Sequence, residues 1–181
     1  MVRIEGMSEP KRLYVLRHAK SSWDDHDAAD HERPLSERGR RAVRLLAAHI
    51  EARGIAPELV LCSSARRTRE TLEGLGLRSK VLVEHRLYRA SADDLIERLR
   101  GLPADLGSVM LVGHNPAMQM LVLRLATPGR DAREGAEGLE EIRRKLPTGA
   151  LVTLDVSDQW AQLDLGGAEL IEYVRPKALQ F

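Results

Sequence analysis

Cysteine occurs once in the 181 residues, as Cys62, so an intrachain disulfide is excluded and the fold must rest on an apolar core. Cys62 ends an apolar run and reads as a buried, inert thiol. Aromatic residues make up only 3% of the chain, which leaves Leu, Val, Ile and Ala to fill the interior. Charge of one sign is also lacking: the net value is +1 with both signs interspersed, which argues against a general nucleic-acid binder. No stretch approaches the roughly 18 apolar residues of a membrane span, and Met1 to Pro10 holds no apolar signal core. A cytoplasmic protein with no nucleic-acid or membrane partner is expected. Length and a 43% hydrophobic content predict a single domain over residues 1–181, with 1–11 as an N-terminal tail.

What the chain does have is two short apolar runs that each end on a histidine. One is Leu13-Tyr14-Val15-Leu16-Arg17-His18, the other Val109-Met110-Leu111-Val112-Gly113-His114. Runs this short, bounded by turn residues, suit strands covered on both faces. A third, Leu59 to Cys62, leads directly into Ser63-Ser64-Ala65-Arg66-Arg67. Ligands of open α/β sheets bind beyond the carboxyl ends of the strands. Neighbouring strands would therefore gather His18, His114, Arg17 and an arginine after the third strand into one pocket fit for a phosphate dianion.

These segments resemble the histidine phosphatase superfamily, which includes phosphoglycerate mutases and acid phosphatases. Arg17-His18-Ala19 is similar to its Arg-His-Gly signature, with Ala for Gly. Ser63 to Thr71 is similar to its Ser-Ser-x-x-Arg-x-x-x-Thr segment, which makes Arg67 rather than Arg66 the second arginine. Leu16 to Trp23, Arg33-Pro34-Leu35, Leu87-Tyr88-x-Ala90-Ser91 and Val112 to Pro116 most resemble the small phosphohistidine phosphatases. The resemblance runs from about Arg12 to Leu165. It implies a phosphoglycerate mutase-like fold: α/β, three layers, a mainly parallel sheet with helices on both faces and antiparallel closing strands. It also implies a metal-independent phosphatase, without cofactor, that forms a covalent phosphohistidine on His18. A cysteine-phosphatase reading fails, because no glycine-rich loop with a trailing arginine surrounds Cys62.

Periodicity predicts the rest of the alternation. Ser36 caps a helix carrying Val43, Leu46, Ala47 and Ile50, which stops at Gly54. A second helix spans about Ala65 to Gly74, and Val81-Leu82-Val83 is a short strand. Ser91-Ala92-Asp93-Asp94 reads as a capping box with Asp for Glu. Asn115 as cap and Pro116 at the first helical position open a further helix. Residues 127–148 read as a charged insert or loop with one short helix near Gly138 to Lys145. Ala150 to Val156, Gln159 to Asp164 and Glu169 to Val174 read as closing strands.

Chemistry assigns the roles. Arg17 and Arg67 would clamp the phosphoryl oxygens, since a guanidinium fork binds phosphate bidentately and keeps its charge. His18 would attack phosphorus through one unprotonated nitrogen, its other nitrogen aimed by a hydrogen bond, a backbone carbonyl being the simplest partner. His114 would donate to the phosphoryl oxygens. Lys20 and Ser21 are further candidate substrate-binding residues. The loop from Ser21 to Arg33, with His26 and His31 among four Asp and one Glu, reads as solvated and lying over the site; no metal site is expected in it. Two departures stand out. Arg89 falls where several larger relatives place a glutamate proton donor, with Glu84, Asp93 or Asp94 as substitutes. Asp24 stands where many mutase-like relatives carry a phosphate-touching asparagine. A missing acid favours a phosphohistidine substrate on a protein partner. The alternatives are a phosphatase of small phosphate esters and a non-catalytic phosphate-binding regulatory module.

Overall fold

The alternation of strand and helix folds into one mixed sheet, seen in a computed structural model that describes residues 10–180. The strands are β1 (Lys11–Arg17), β2 (Leu59–Ser63), β3 (Lys80–Glu84), β4 (Ser108–Gly113), β5 (Ala126–Thr127), β6 (Leu151–Val156) and β7 (Ala168–Val174). They lie in the order β3-β2-β4-β1-β6-β7-β5. From β3 to β1 every pairing is parallel, while β6 runs antiparallel to both β1 and β7. Thus α/β with a mainly parallel sheet and antiparallel closing strands describes the architecture.

Period-two alternation sorts the apolar residues to two faces. Leu13, Val15, Leu59, Leu61, Val109 and Leu111 pack on one side, against α3 (Ala92–Arg100), α4 (Ala117–Leu125) and α5 (Ala132–Arg144). Tyr14, Leu16, Val60, Cys62, Met110 and Val112 pack on the other, against α1 (Glu37–Ala52) and α2 (Arg66–Leu75). This gives three layers and two cores. Truncating a fully buried residue such as Leu16 or Leu121 to alanine would cost about 2–5 kcal/mol. Cys62 is fully buried, and burial pushes its thiol up to about 12, consistent with an inert side chain.

Local signals set most boundaries. Ser36 caps α1 by accepting from the Gly39 amide, and Ser91 and Asp94 form the reciprocal capping box of α3. Four expectations are corrected. Lys11 belongs to β1 rather than to a tail; its ammonium bonds the Ala104 carbonyl, and residues 1–9 of the tail lie outside the described residues. Pro116, not Asn115, is the cap of α4, because the Asn115 amide is drawn away to the Leu146 carbonyl at 3.0 Å. Residues 127–148 are mostly the helix α5, capped by Asp131, whose Ile142 is buried in the first core. Gln159 to Asp164 is a 3₁₀ turn rather than a strand, pinned by fully buried Trp160, whose indole N–H donates to the Leu106 carbonyl at 2.7 Å. Among the described residues, no helix is long and apolar enough to cross a membrane.

Candidate active site

The parallel register brings the two histidines together. Arg17 of β1 pairs with Gly113 of β4, so His18 and His114 leave the sheet side by side. The His18 amide donates to the Gly113 carbonyl at 3.0 Å, and the ring centroids lie 5.1 Å apart. β2 flanks β4 on the other side, and α2 starting at Arg66 carries Arg67 into the same corner. Arg67 is buried, whereas Arg66 points outward to pair with Glu70 at 2.7 Å.

The two imidazoles are held differently. His18 Nδ1 lies 2.7 Å from the Ala19 carbonyl. A carbonyl only accepts, so Nδ1 carries the proton and Nε2 keeps its lone pair. Burial above all, with smaller contributions from His114, Arg67 and Arg17, holds the His18 ring down to about 3, so it is neutral at physiological pH. His114 is held down to about 4, again chiefly by burial and then by Arg67. Its Nε2 sits 2.7 Å from Ser63 Oγ. The Ser63 hydroxyl also accepts from the Ala65 amide at 3.4 Å, and when it gives its own proton to His114 Nε2 the Nδ1 of that ring carries a donor N–H. Among the described residues that Nδ1, Arg17 Nε and Arg67 Nε have no partner. The two guanidinium N–H groups, joined by His114 Nδ1–H in that tautomer, are thus buried donors without a protein acceptor.

The arginines differ in the same way. Arg17 donates Nη1 to the Leu146 carbonyl at 2.8 Å. Arg67 donates Nη1 to the Asp30 carbonyl at 2.6 Å and Nη2 to the Asp30 carboxylate at 3.1 Å. Asp30 also accepts from the Tyr88 hydroxyl at 2.6 Å and from Arg33 at 3.0 Å. These bonds hold its carboxyl down to about 2, the tyrosine contributing most. The acidic loop therefore reaches Arg67 through Asp30, while its His31 lies 2.9 Å from Ser64 Oγ and packs on Tyr88, ring centroids 4.8 Å apart.

Two glycine and threonine contacts shape the floor. The Gly149 amide donates to both the Arg17 and His18 carbonyls at 3.0 Å, and its φ of +77° is one that other residues rarely adopt. Thr71 accepts from the Ala19 amide at 3.0 Å and donates to the Arg67 carbonyl at 2.6 Å, tying β1 to α2.

Of the residues singled out from sequence, Arg17, His18, Arg67 and His114 meet in one place. Lys20 does not join them: it is exposed and lines a separate groove. Ser21 is buried and accepts from Arg33 Nη2 at 2.5 Å, so it steadies the loop. Arg33 itself pairs with Asp30, and Asp24 is exposed. None of the substitute acids reaches the site. Glu84 is bound by Arg98 and Arg86, Asp93 pairs with Arg124, and Asp94 is consumed by its capping box. Arg89 is exposed, with its guanidinium over the Tyr88 ring. Asp30, Tyr88 and Ser63 were missed as parts of the site. Tyr88 had a signal in its Leu-Tyr-x-Ala segment, whereas nothing in the sequence sets Asp30 apart from Asp24, Asp25 and Asp27. His26 and His31 join no cluster of metal-ligating residues among the described residues.

Residues 13–88 match the model of the histidine phosphatase superfamily (branch 1). An uncharacterised protein of Mycobacterium leprae is 34% identical over 166 residues, covering 90% of this chain and all of that one. A candidate phosphohistidine phosphatase SixA from Nakamurella multipartitia shares the fold with a TM-score of 0.82 and 29% identity, over 94% of this chain and 99% of that one. Its counterpart from Agrobacterium tumefaciens aligns with a TM-score of 0.74 and 28% identity, over 93% of this chain and all of that one.

Proposed function

The chain belongs to the histidine phosphatase superfamily, and from that premise we propose that it is a metal-independent phosphohistidine phosphatase acting on phosphorylated proteins. The observation that carries the proposal is the state of His18: a neutral imidazole with Nδ1 held by Ala19, beside Arg17, Arg67 and His114. Nε2 of His18 attacks phosphorus in line, and the bond from phosphorus to the substrate's imidazole nitrogen breaks as that nitrogen takes a proton. Arg17, Arg67 and the Nδ1–H of His114 stabilise the charge spread over the three equatorial oxygens. Water then attacks phospho-His18, releases inorganic phosphate and restores the free imidazole.

The substrate class is supported by the lack, among the described residues, of a protonated carboxylic acid at the site. An alkoxide leaving group needs a proton donor. Glu84, Asp93 and Asp94 are committed elsewhere, and Asp30 is held ionised. A phosphorus–nitrogen bond is weaker in this respect, because water or the substrate can protonate the leaving imidazole. The SixA likeness supports the same class.

The test is hydrolysis of phosphohistidine and of glycerol phosphate by the same preparation. The expected kcat/KM favours phosphohistidine by about 100-fold or more, the usual worth of an acid catalyst. Equal rates would remove the leaving-group argument and favour small phosphate esters.

A further inference from the structure

Beside the site lies a second concavity, a groove of about 680 Å³ between the N-terminal half of α1 and the 3₁₀ turn Pro176–Leu179. Among the described residues its lining carries Lys20, Arg38, Arg41, Arg175 and Lys177, and no Asp or Glu. All five are exposed. A chain with a net charge of only +1 has thus placed five cations in one groove. Arg175 pairs with Glu141 at 3.1 Å, and Arg41 lies 3.8 Å from Glu37. Lys20, Arg38 and Lys177 have no ion-pair partner among the described residues, so their field is open to solvent.

The groove adjoins the catalytic corner through Gly149. Its amide holds the Arg17 and His18 carbonyls, and a Cβ built there would meet Pro176 Cγ at 2.8 Å. Pro147 and Thr148, which line the groove, directly follow Leu146, whose carbonyl orients Arg17. The groove is thus lined by the segment that holds the Arg17 and His18 backbone, and by Lys20, two residues after His18.

We propose that this groove docks an acidic stretch of the phosphoprotein, flanking the phosphohistidine that enters the site. The inference rests on the function proposed above and deepens it. The cations are spread over the turn after His18, α1 and the Arg175–Lys177 segment, an arrangement drawn from distant parts of the chain. They suit spaced carboxylates along a chain, and Pro147, Pro176, Ala42 and Ala178 give the intervening methylenes an apolar bed. Charge complementarity of this kind raises association rates and weakens with salt.

Fluorescence anisotropy with an unphosphorylated Glu-rich peptide tests the groove without any turnover. The wild-type chain should bind it about tenfold or more tightly than the Gln-for-Glu peptide. Arg38→Glu/Arg41→Glu/Lys177→Glu should lose that preference, while its hydrolysis of free phosphohistidine stays within about twofold of wild type. The milder triple Gln variant should fall between, which guards against misfolding. Equal peptide binding by wild type and the Glu variant overturns the proposal, and so does binding of tripolyphosphate without binding of the peptide. If free phosphohistidine is not hydrolysed by either protein, the function fails while the peptide result still decides the groove.

Discussion

The two halves of the catalytic corner are anchored by different chemistry. In the β1 half, Arg17 and His18 are both held by main-chain carbonyls, those of Leu146 and Ala19. In the β2–β4 half, side chains enter: Ser63 meets His114, and the Asp30 carboxylate joins the Asp30 carbonyl in holding Arg67. A carbonyl is neutral and fixed by the fold itself. A loop carboxylate carries a charge that competes directly with a phosphate for the same guanidinium. In the proposed mechanism the nucleophile His18 and the clamp residue Arg17 sit in the half held by carbonyls alone, and Arg67 in the other half exchanges the Asp30 carboxylate for the phosphoryl group. That reading puts the greatest preorganisation at the proposed nucleophile.

The difference can be broken first at the arginines. Arg17→Ala should lower kcat/KM by about 1,000-fold and Arg67→Ala by about 100-fold, since Asp30 already offsets part of the Arg67 charge. Steady-state kinetics on phosphohistidine checks this, and a larger loss at Arg67 would reverse the assignment of the preorganised half. A second probe is stability against pH. Both rings have folded values below the ordinary histidine range, about 3 and about 4, so the unfolded state takes up protons first as pH falls below about 6.5. Stability is therefore full above that pH and declines below it, by about 2 kcal/mol per histidine between pH 7 and pH 5. Urea midpoints at the two pH values measure the loss, and His18→Asn/His114→Gln should flatten it. The smallest effect sharpens the contrast: Asp30→Asn removes the competing charge and should tighten inorganic phosphate binding about three- to tenfold. Calorimetric titration reads it, and unchanged affinity would mean that Asp30 does not compete.

Much of this was legible in the sequence where one strong local rule applied. Strand-ending histidines followed from short apolar runs, the choice of Arg67 over Arg66 from the motif spacing, and the capping box from Ser91 and Asp94. What stayed hidden depended on tertiary choice. Asp24, Asp25, Asp27 and Asp30 look alike in a polar loop, and only the folded path brings Asp30 onto Arg67. Ser63 reads as a strand end until β4 places His114 beside it. α5 was underestimated because Gly135 and Gly138 lower its propensity, which the burial of Ile142 and Leu146 overrides. Gln159 to Asp164 has strand-like alternation, but the anchoring of Trp160 turns the chain instead. Lys20 lies next to the signature in sequence yet faces the groove, because the backbone turns after His18 to pass its Lys20 carbonyl to Ser36.

The account stands on a neutral His18 Nε2 that takes the phosphoryl group. The most direct measurement is rapid acid-free quenching of enzyme mixed with labelled phosphohistidine substrate, followed by mass spectrometry of the peptides. A phosphoryl group that is acid-labile, base-stable and located on His18 is the predicted result, absent in His18→Asn. Turnover with no such adduct, or an adduct on His114 instead, would contradict it.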